Sequence, residues 1–284
     1  MLFNESEVCT RVKRAYNSAQ LSYEELKEIE IRDRFPALKN YSQSEAIFEK
    51  FAGLLRAEEC LNAVQKAFTN FGGTILYETP ATAVTPNQDG NYLITTEDNS
   101  SFLSRRVVVC VGNLAHKFLA DLALPLKLNS FPLMEWKVLD KMNGIQTIIH
   151  DCSQGLAFVP PLLDDERFAK AGRVFEASDQ TECPDEHGIK TICRTTAEAI
   201  SARFVGVDCR GPVSVKEFSY LSTSDNRPIM DRHPRWPTFI IGAGFYESGF
   251  ETSPVSGEIL AALASGTESN LPYNLDMFKI NRFN

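Results

Sequence analysis

The hydrophobic positions of this chain change their spacing in a definite order. Residues 1–35 are polar overall and read as helical; Ser22 and Glu25 in "SYEELKEIE" have capping-box spacing, and Pro36 predicts a stop just before it. From 53 to 73, Leu54, Leu61, Val64, Phe68 and Phe71 fall near one helical face, and Gly72 and Gly73 end the run. "TILYE" (74–78) predicts a short strand. "NYLITTED" (91–98) alternates as a strand does, directly after the turn-forming pair Asp89–Gly90. "RRVVVCVGN" (105–113) is a continuous apolar run ending at a glycine, the pattern of a strand buried on both faces.

The texture then changes. Residues 122–223 carry prolines at 125, 132, 160, 161, 184 and 212, several short β-prone runs and one helical stretch, "TTAEAISARF" (195–204). This reads as a separate sheet-based region. "TFIIGAG" (238–244) returns to the buried-strand pattern, and "SPVSGEILAALASG" (253–266) is helical, with Pro254 in its first turn and Gly266 at its end. The expected architecture is a mixed α/β (α+β) protein of two domains. One is a layered domain built from 53–121 and 224–284; the other is a β-rich domain built from 1–52 and 122–223.

Composition narrows the function classes. A length of 284 residues suits about two domains. The net charge is −8 with no basic run, which argues against nucleic acid and anionic membrane as partners. No apolar run approaches the roughly 20 residues of a membrane span. "MLFNESEVCTRVKR" has no signal-peptide core, and "NRFN" is not a peroxisomal tripeptide. Seven scattered cysteines without a CxxC pair favour reduced thiols and a cytoplasmic setting. His116, His150, His187 and His233 have no metal-ligand spacing, so no metal site is expected. Without GxSxG, HExxH or Walker motifs, hydrolase chemistry has no support.

The most informative stretch is "FIIGAGFYESGFETSPVSGEIL" (239–260). Gly242, Gly244 and Gly249 do not form GxGxxG. A strand ending in Gly-x-Gly that feeds a helix still exposes backbone N–H groups beside the positive helix end, a place for an electron-rich ligand edge. Close packing of strand on helix explains the same glycines, and both readings stay open. Gly112, at the end of the 107–111 run, is either a ligand position outside a strand end or the end of a plain core strand. Lys170 in "RFAKAGR" is either a cation facing a cavity or a solvated side chain.

Three segments in order carry a resemblance: "GLLRAEECLNAVQKAFTNFGGTILYET", "RRVVVCVGNLAHKFLADL" and "YLSTSDNRPIMDRHP…FIIGAGFYESGFETSPVSGEILAALASG". Together they resemble the FAD-dependent amine and amino-acid oxidases of the D-amino acid oxidase superfamily, in the sarcosine oxidase and fructosyl-amine oxidase branch. The likeness runs from about Phe35 to Phe283. It implies FAD as cofactor and a small-molecule amine or N-substituted amino acid as substrate. A C–N bond would be oxidised by hydride transfer to flavin, with reoxidation by oxygen. The late glycine turn would then be a flavin-ring turn, with Gly244, Ser248, Gly249, Phe250 and Glu251 at the cofactor, Gly112 nearby and Ala81 at the adenine. Lys170 aligns with the lysine that helps activate oxygen. Phe218 stands where the branch often has a flavin-linking cysteine, so FAD would be held non-covalently. Glu251 stands where the branch often has a lysine that helps bind a substrate carboxylate, which implies a cationic amine instead.

The family opens with a strand, GxGxxG and an acidic residue, and these 284 residues contain no GxGxxG. The resemblance therefore implies an incomplete Rossmann-like FAD domain. Met1 would be an internal methionine, a misplaced start or a real truncated start. The competing reading is a non-catalytic remnant or interaction protein that keeps the fold without binding FAD alone.

Overall fold

The computed structural model describes residues 1–3, 6–41, 45–139, 147–161, 167–173 and 185–283. Cys183 and Pro184 lie outside the described residues. The chain forms two units, one from Met1–Leu54 and Ser130–Phe218, the other from Leu55–Asn129 and Ser219–Asn284. In chain order the elements are β1 (Leu2–Phe3), α1 (Ser6–Ser18), β2 (Glu24–Leu26), α2 (Glu28–Arg34), β3 (Glu45–Phe48), α3 (Ala57–Asn70), β4 (Ala81–Pro86), β5 (Tyr92–Thr96), β6 (Ser101–Ser104), β7 (Val107–Val109), α4 (Ala115–Phe118), β8 (Leu126–Lys137), β9 (Ile149–Asp151), β10 (Leu156–Val159), β11 (Phe168–Arg173), α5 (Glu186–Arg203), β12 (Ser214–Thr223), β13 (Ile229–His233), β14 (Trp236–Ala243) and α6 (Ser253–Ser265).

The first unit is built on a sheet of order β12-β8-β11-β10-β9-β1-β3-β2. Period-2 alternation sends Pro132, Met134 and Trp136 of β8 and Leu156 and Phe158 of β10 inward. Met134, Trp136, Leu156 and Phe158 form one core with Ile31 of α2 and Ile200 of α5, and Phe158 stacks on Phe204 at 3.9 Å. Helix α5 starts where Asp185 accepts the Gly188 N–H at 2.7 Å, an N-cap. It carries Arg203 into a buried ion pair with Asp151 of β9, Nε to Oδ2 at 2.5 Å.

The amino-terminal stretch differs from the helical expectation. Residues 24–26 are a strand paired with β3, and the second helix begins only at Glu28. Its first turn is capped by Glu30, which accepts the Lys27 N–H at 2.8 Å, so Ser22 and Glu25 are not the cap. Pairing at the sheet edge outweighs a local signal worth about 1 kcal/mol.

In the second unit the sheet order is β13-β14-β7. Strands β14 and β7 run parallel, with Phe239, Ile240 and Ile241 opposite Val107, Val108 and Val109. Phe239, Ile241 and Val109 pack with Tyr92 of the β4-β5-β6 meander. Ile240 points the other way, onto Ile259, Leu260 and Leu263 of α6. Gly90 makes the β4–β5 turn with φ +76°, and Gly266 ends α6 in the left-handed region at φ +74°.

Two expectations fail here. "TILYE" forms no strand, because no described strand lies beside it to accept its hydrogen bonds. β7 is an edge strand, not one buried on both faces, and Val108 is 45% exposed. Helix α3 forms as the sequence predicts, yet it buries none of its residues.

The chain end is tied back by Arg282, whose Nε and Nη2 donate to Asp225 at 2.9 and 3.1 Å. The Arg282 bond, against a desolvation cost and with help from Thr223, holds Asp225 at about 2. An unfolded aspartate titrates near ~3.9, so between these values the unfolded chain binds more protons. The stabilisation is complete above about pH 4 and lost as pH falls toward 2. At 35% exposure the pair is screened by solvent. Arg282→Gln should raise the midpoint of acid unfolding, followed by circular dichroism; an unmoved midpoint would rule the pair out as a source of acid resistance.

Candidate functional site

Parallel pairing brings the carboxyl ends of β7 and β14 to one edge of the sheet. Both are followed by glycines with positive φ, Gly112 at +53° and Gly244 at +68°. At that edge the second unit has a cavity of about 410 Å³. Crevices beyond the carboxyl ends of parallel strands are the usual ligand position in open α/β sheets.

Each wall has a local cause. Gly244 turns the chain out of β14 where a Cβ would lie 2.8 Å from Thr223 Cγ2. Phe245 and a short turn at Tyr246–Ser248 follow, with Tyr246 itself at φ +56°, a strained conformation for a non-glycine residue. Gly249 passes so close to Phe245 that a Cβ there would lie 2.9 Å from Phe245 Cβ. Helix α6 then starts at Ser253 with no side chain capping its first turn. Ser253, Ser256, Gly257 and Leu260 line the cavity at i, i+3, i+4 and i+7, a single helical face. Tyr220 and Tyr246 meet edge to face at 5.2 Å on another wall. Asn113 Nδ2 donates to the Ser219 carbonyl at 3.1 Å and ties the β7 turn to β12.

The described lining holds no charged side chain. Its positive end is the first turn of α6, where the helix dipole favours electron density, although the Ser253 N–H already donates to the Phe250 carbonyl at 3.2 Å and Pro254 has no N–H. Desolvation pushes the Cys110 thiol up, so it stays protonated at neutral pH. Beside the cavity, Glu247 is pushed up by desolvation and then by the charge of Glu251. Glu247 as a residue is exposed, which limits the effect.

Of the residues singled out from sequence, Gly112, Gly242, Gly244 and Gly249 line the cavity. Ser248 sits inside the turn, its carbonyl accepting from the Thr252 N–H at 3.1 Å and the Thr252 hydroxyl at 2.8 Å. Phe250 and Glu251 are exposed and outside the lining. Ala81 is the first residue of β4, opposite Thr96. Lys170 belongs to the first unit, exposed on β11 between buried Ala169 and Ala171 and opposite Val159 and Glu135. Sequence reasoning missed Tyr220, Tyr246, Asn113 and Gly257. Only Gly257 had a signal, the small-residue spacing of 253, 256 and 257.

A family model described as FAD dependent oxidoreductase matches residues 2–263. The monomeric sarcosine oxidase of Streptomyces avermitilis is 26% identical over 272 residues, covering 88% of this chain and 67% of that protein. The peroxisomal sarcosine oxidase of Mus musculus is 24% identical, covering 93% and 69%. Among solved structures, glycine oxidase from Geobacillus kaustophilus superposes with a TM-score of 0.78 at 17% identity, over 98% of this chain and 71% of that one. L-proline dehydrogenase from P. horikoshii superposes with a TM-score of 0.80 at 16% identity, over 99% and 75%. These structural likenesses are likenesses of fold.

Proposed function

Because the chain belongs to the family of FAD dependent oxidoreductases, we propose that it oxidises a C–N bond of a small amine or N-substituted amino acid, with the ring end of FAD in the cavity of the second unit. One observation carries the reading: two glycine-ended parallel strands and the start of α6 open on a single cavity whose described lining is uncharged. The residues fit that end of the cofactor. Added Cβ atoms at Gly112 and Gly257 would meet nothing within 4 Å, so bare backbone faces the space a flat ring needs. Residues for the pyrophosphate are not supplied by a GxGxxG in these 284 residues.

When bound, FAD supplies the two-electron acceptor. The chain's own groups set its surroundings. The first turn of α6 and the backbone around Gly249 stabilise negative charge at the ring edge. Tyr220 and Tyr246 wall off water. Ser248 fixes the turn, and Ala81 offers a backbone contact to adenine. In this reading the second unit is the cofactor domain and the first, which carries Lys170, is the substrate domain. Among the described residues no helix is long and apolar enough to cross a membrane, and we place the protein in the cytoplasm.

Glu251 and Glu247 give the turn a negative surface that favours an amine with positive charge over one carrying a carboxylate. Glu251→Lys should therefore lower KM for N-methyl amino acids by roughly fivefold with little change in kcat, as expected for a rim charge. An unchanged KM would remove Glu251 from substrate choice.

The proposal is tested by mixing the purified chain with excess FAD, desalting it and recording the visible spectrum. Retained flavin, followed by peroxide release on a panel of amines, is the expected result. A colourless protein overturns the reading for this chain and leaves the non-catalytic alternative.

A further inference from the structure

His233, the last residue of β13, is 2% exposed, and its contacts fix which ring nitrogen carries the proton. The Arg235 backbone N–H points at Nδ1 from 3.2 Å, so Nδ1 must offer its lone pair. Nε2 lies 3.1 Å from Asp121 Oδ2, so Nε2 holds the hydrogen and donates it. The ring is therefore neutral in this arrangement, and its neighbours hold it there. It stacks on Trp236 with centroids 4.1 Å apart and planes 19° apart, and Phe239 meets it edge to face at 5.5 Å.

The ring joins two pieces of the second unit. One is the tip of the β13–β14 hairpin, where the register shifts between Arg232 and His233. The other is the connection 112–122. It begins at Gly112 and Asn113 in the cavity lining and ends in the short turn Ala120–Leu122. Directly after that turn Ala123 has φ +44°, a left-handed conformation that a non-glycine residue keeps only when its surroundings hold it. Asp121 supplies a hold, because its Oδ2 accepts from His233 Nε2 and also from Arg235 Nη2. The Arg235 guanidinium in turn lies over the Trp236 ring, 4.9 Å from its centroid. Among the described residues, Asp121 from the turn and Arg235 from the hairpin are the charged groups that face the histidine. The rings packed on it, Trp236 and Phe239, carry no charge.

We propose that His233, Asp121 and Arg235 form an acid-sensitive latch, in which neutral His233 pins the connection 112–122 to the hairpin tip and protonation at Nδ1 releases it. With His233 neutral, one carboxylate and one guanidinium balance. Protonation leaves a net positive charge at a buried ring and sets a new N–H on Nδ1 against the Arg235 N–H, so two donors face each other. Burial lowers the proton affinity of the ring by more than the Asp121 carboxylate raises it. Against its own desolvation, Asp121 is held below the usual carboxylate range by Arg235 and then His233, so it stays charged as the histidine titrates. An unfolded histidine titrates near ~6.5, above the folded value, so below that pH the open chain binds more protons. The contribution of the latch is whole above about pH 6.5 and is lost as pH falls from there through the folded value. What loosens is the side of the cavity that Gly112 and Asn113 form. None of these groups needs FAD, so the latch stands or falls separately from the proposed function.

The test is made on the full chain without added ligand. Nitrogen-15 NMR of the histidine rings should show His233 as the Nε2–H tautomer at about pH 7.5, titrating below the ordinary value. Hydrogen exchange at 113–122 and at Arg235 and Trp236, corrected for the intrinsic rate, should be at least about tenfold faster at about pH 5 than at about pH 7.5. Helix α5 of the first unit is the control and should change less. Asp121→Asn should move the His233 titration to still lower pH, since the carboxylate is what favours the imidazolium. His233→Gln, which keeps a donor for Asp121 but cannot titrate, should bring the ratio of the two exchange rates close to one. A ring protonated at Nδ1 at neutral pH overturns the proposal, and so does exchange at 113–122 that does not respond to pH. Equal loosening of α5 overturns it too, because acid would then unfold the whole chain and not this contact.

Discussion

Gly257→Leu will empty the cavity of flavin while leaving the fold intact. Gly257 lies mid-way along α6, lines the cavity, and an added Cβ would meet no atom within 4 Å. Losing a helical glycine is worth up to about 1 kcal/mol of stability, so the melting temperature should hold or rise. The leucine side chain would point into a space of about 410 Å³ that a planar ring must share. FAD affinity should fall at least about a hundredfold, equivalent to about 2.7 kcal/mol, as read by fluorescence titration. Gly244→Ala is the contrast. Its Cβ would lie 2.8 Å from Thr223 Cγ2, and that methyl cannot swing away. The Thr223 hydroxyl lies 2.8 Å from Asp225 Oδ1 and 2.7 Å from the Arg227 carbonyl. With φ at +68° added, Gly244→Ala should cost about 1–3 kcal/mol of folding stability. A Gly257→Leu protein that keeps full FAD affinity would mean the ring does not lie in this cavity.

The largest stability effect is expected in the first unit. Arg203 and Asp151 are 4% and 1% exposed. Arg203 Nη2 donates to Ser153 Oγ at 2.8 Å, and Nη1 donates to the Asn40 carbonyl. Asp151 Oδ1 accepts the Ser153 N–H at 3.0 Å, the Ser153 hydroxyl at 2.5 Å and the Gln154 N–H at 3.2 Å. The pair thus joins α5, β9 and the loop at Asn40. Arg203→Met leaves a buried carboxylate without its cation, and such losses cost about 3–5 kcal/mol. Adding Asp151→Leu should recover a large part of that loss, because two apolar groups leave no charge to desolvate. Urea unfolding followed by circular dichroism measures both. A single variant that loses less than about 1 kcal/mol would show that the ion pair does not hold α5 to the sheet.

Local chemistry made some elements readable and not others. "TFIIGA" falls in β14 because a short β-prone run of Thr, Phe and Ile ending at glycine has few other uses, and α6 announces itself by Pro254 and Gly266. The 53–73 periodicity gave a helix correctly, but periodicity states which face is apolar, not what covers it. Residues 24–26 and 74–78 went wrong in opposite directions for one reason. A strand is defined by its neighbour: β2 has β3 beside it, and "TILYE" has no described partner.

By itself, then, the sequence determined the mixed α/β class, the β14–turn–α6 unit and the glycines at 112, 244 and 249, because each depends on residues within about one turn or strand of one another. Through its resemblance it also carried the family. Tertiary structure alone decided that Gly112 and Gly244 end adjacent parallel strands, that Tyr220, Asn113 and Gly257 complete one cavity with them, and that Arg203 finds Asp151. Those groupings join residues far apart in the chain. Pairing register and burial create them, and neither can be read until the strands have neighbours.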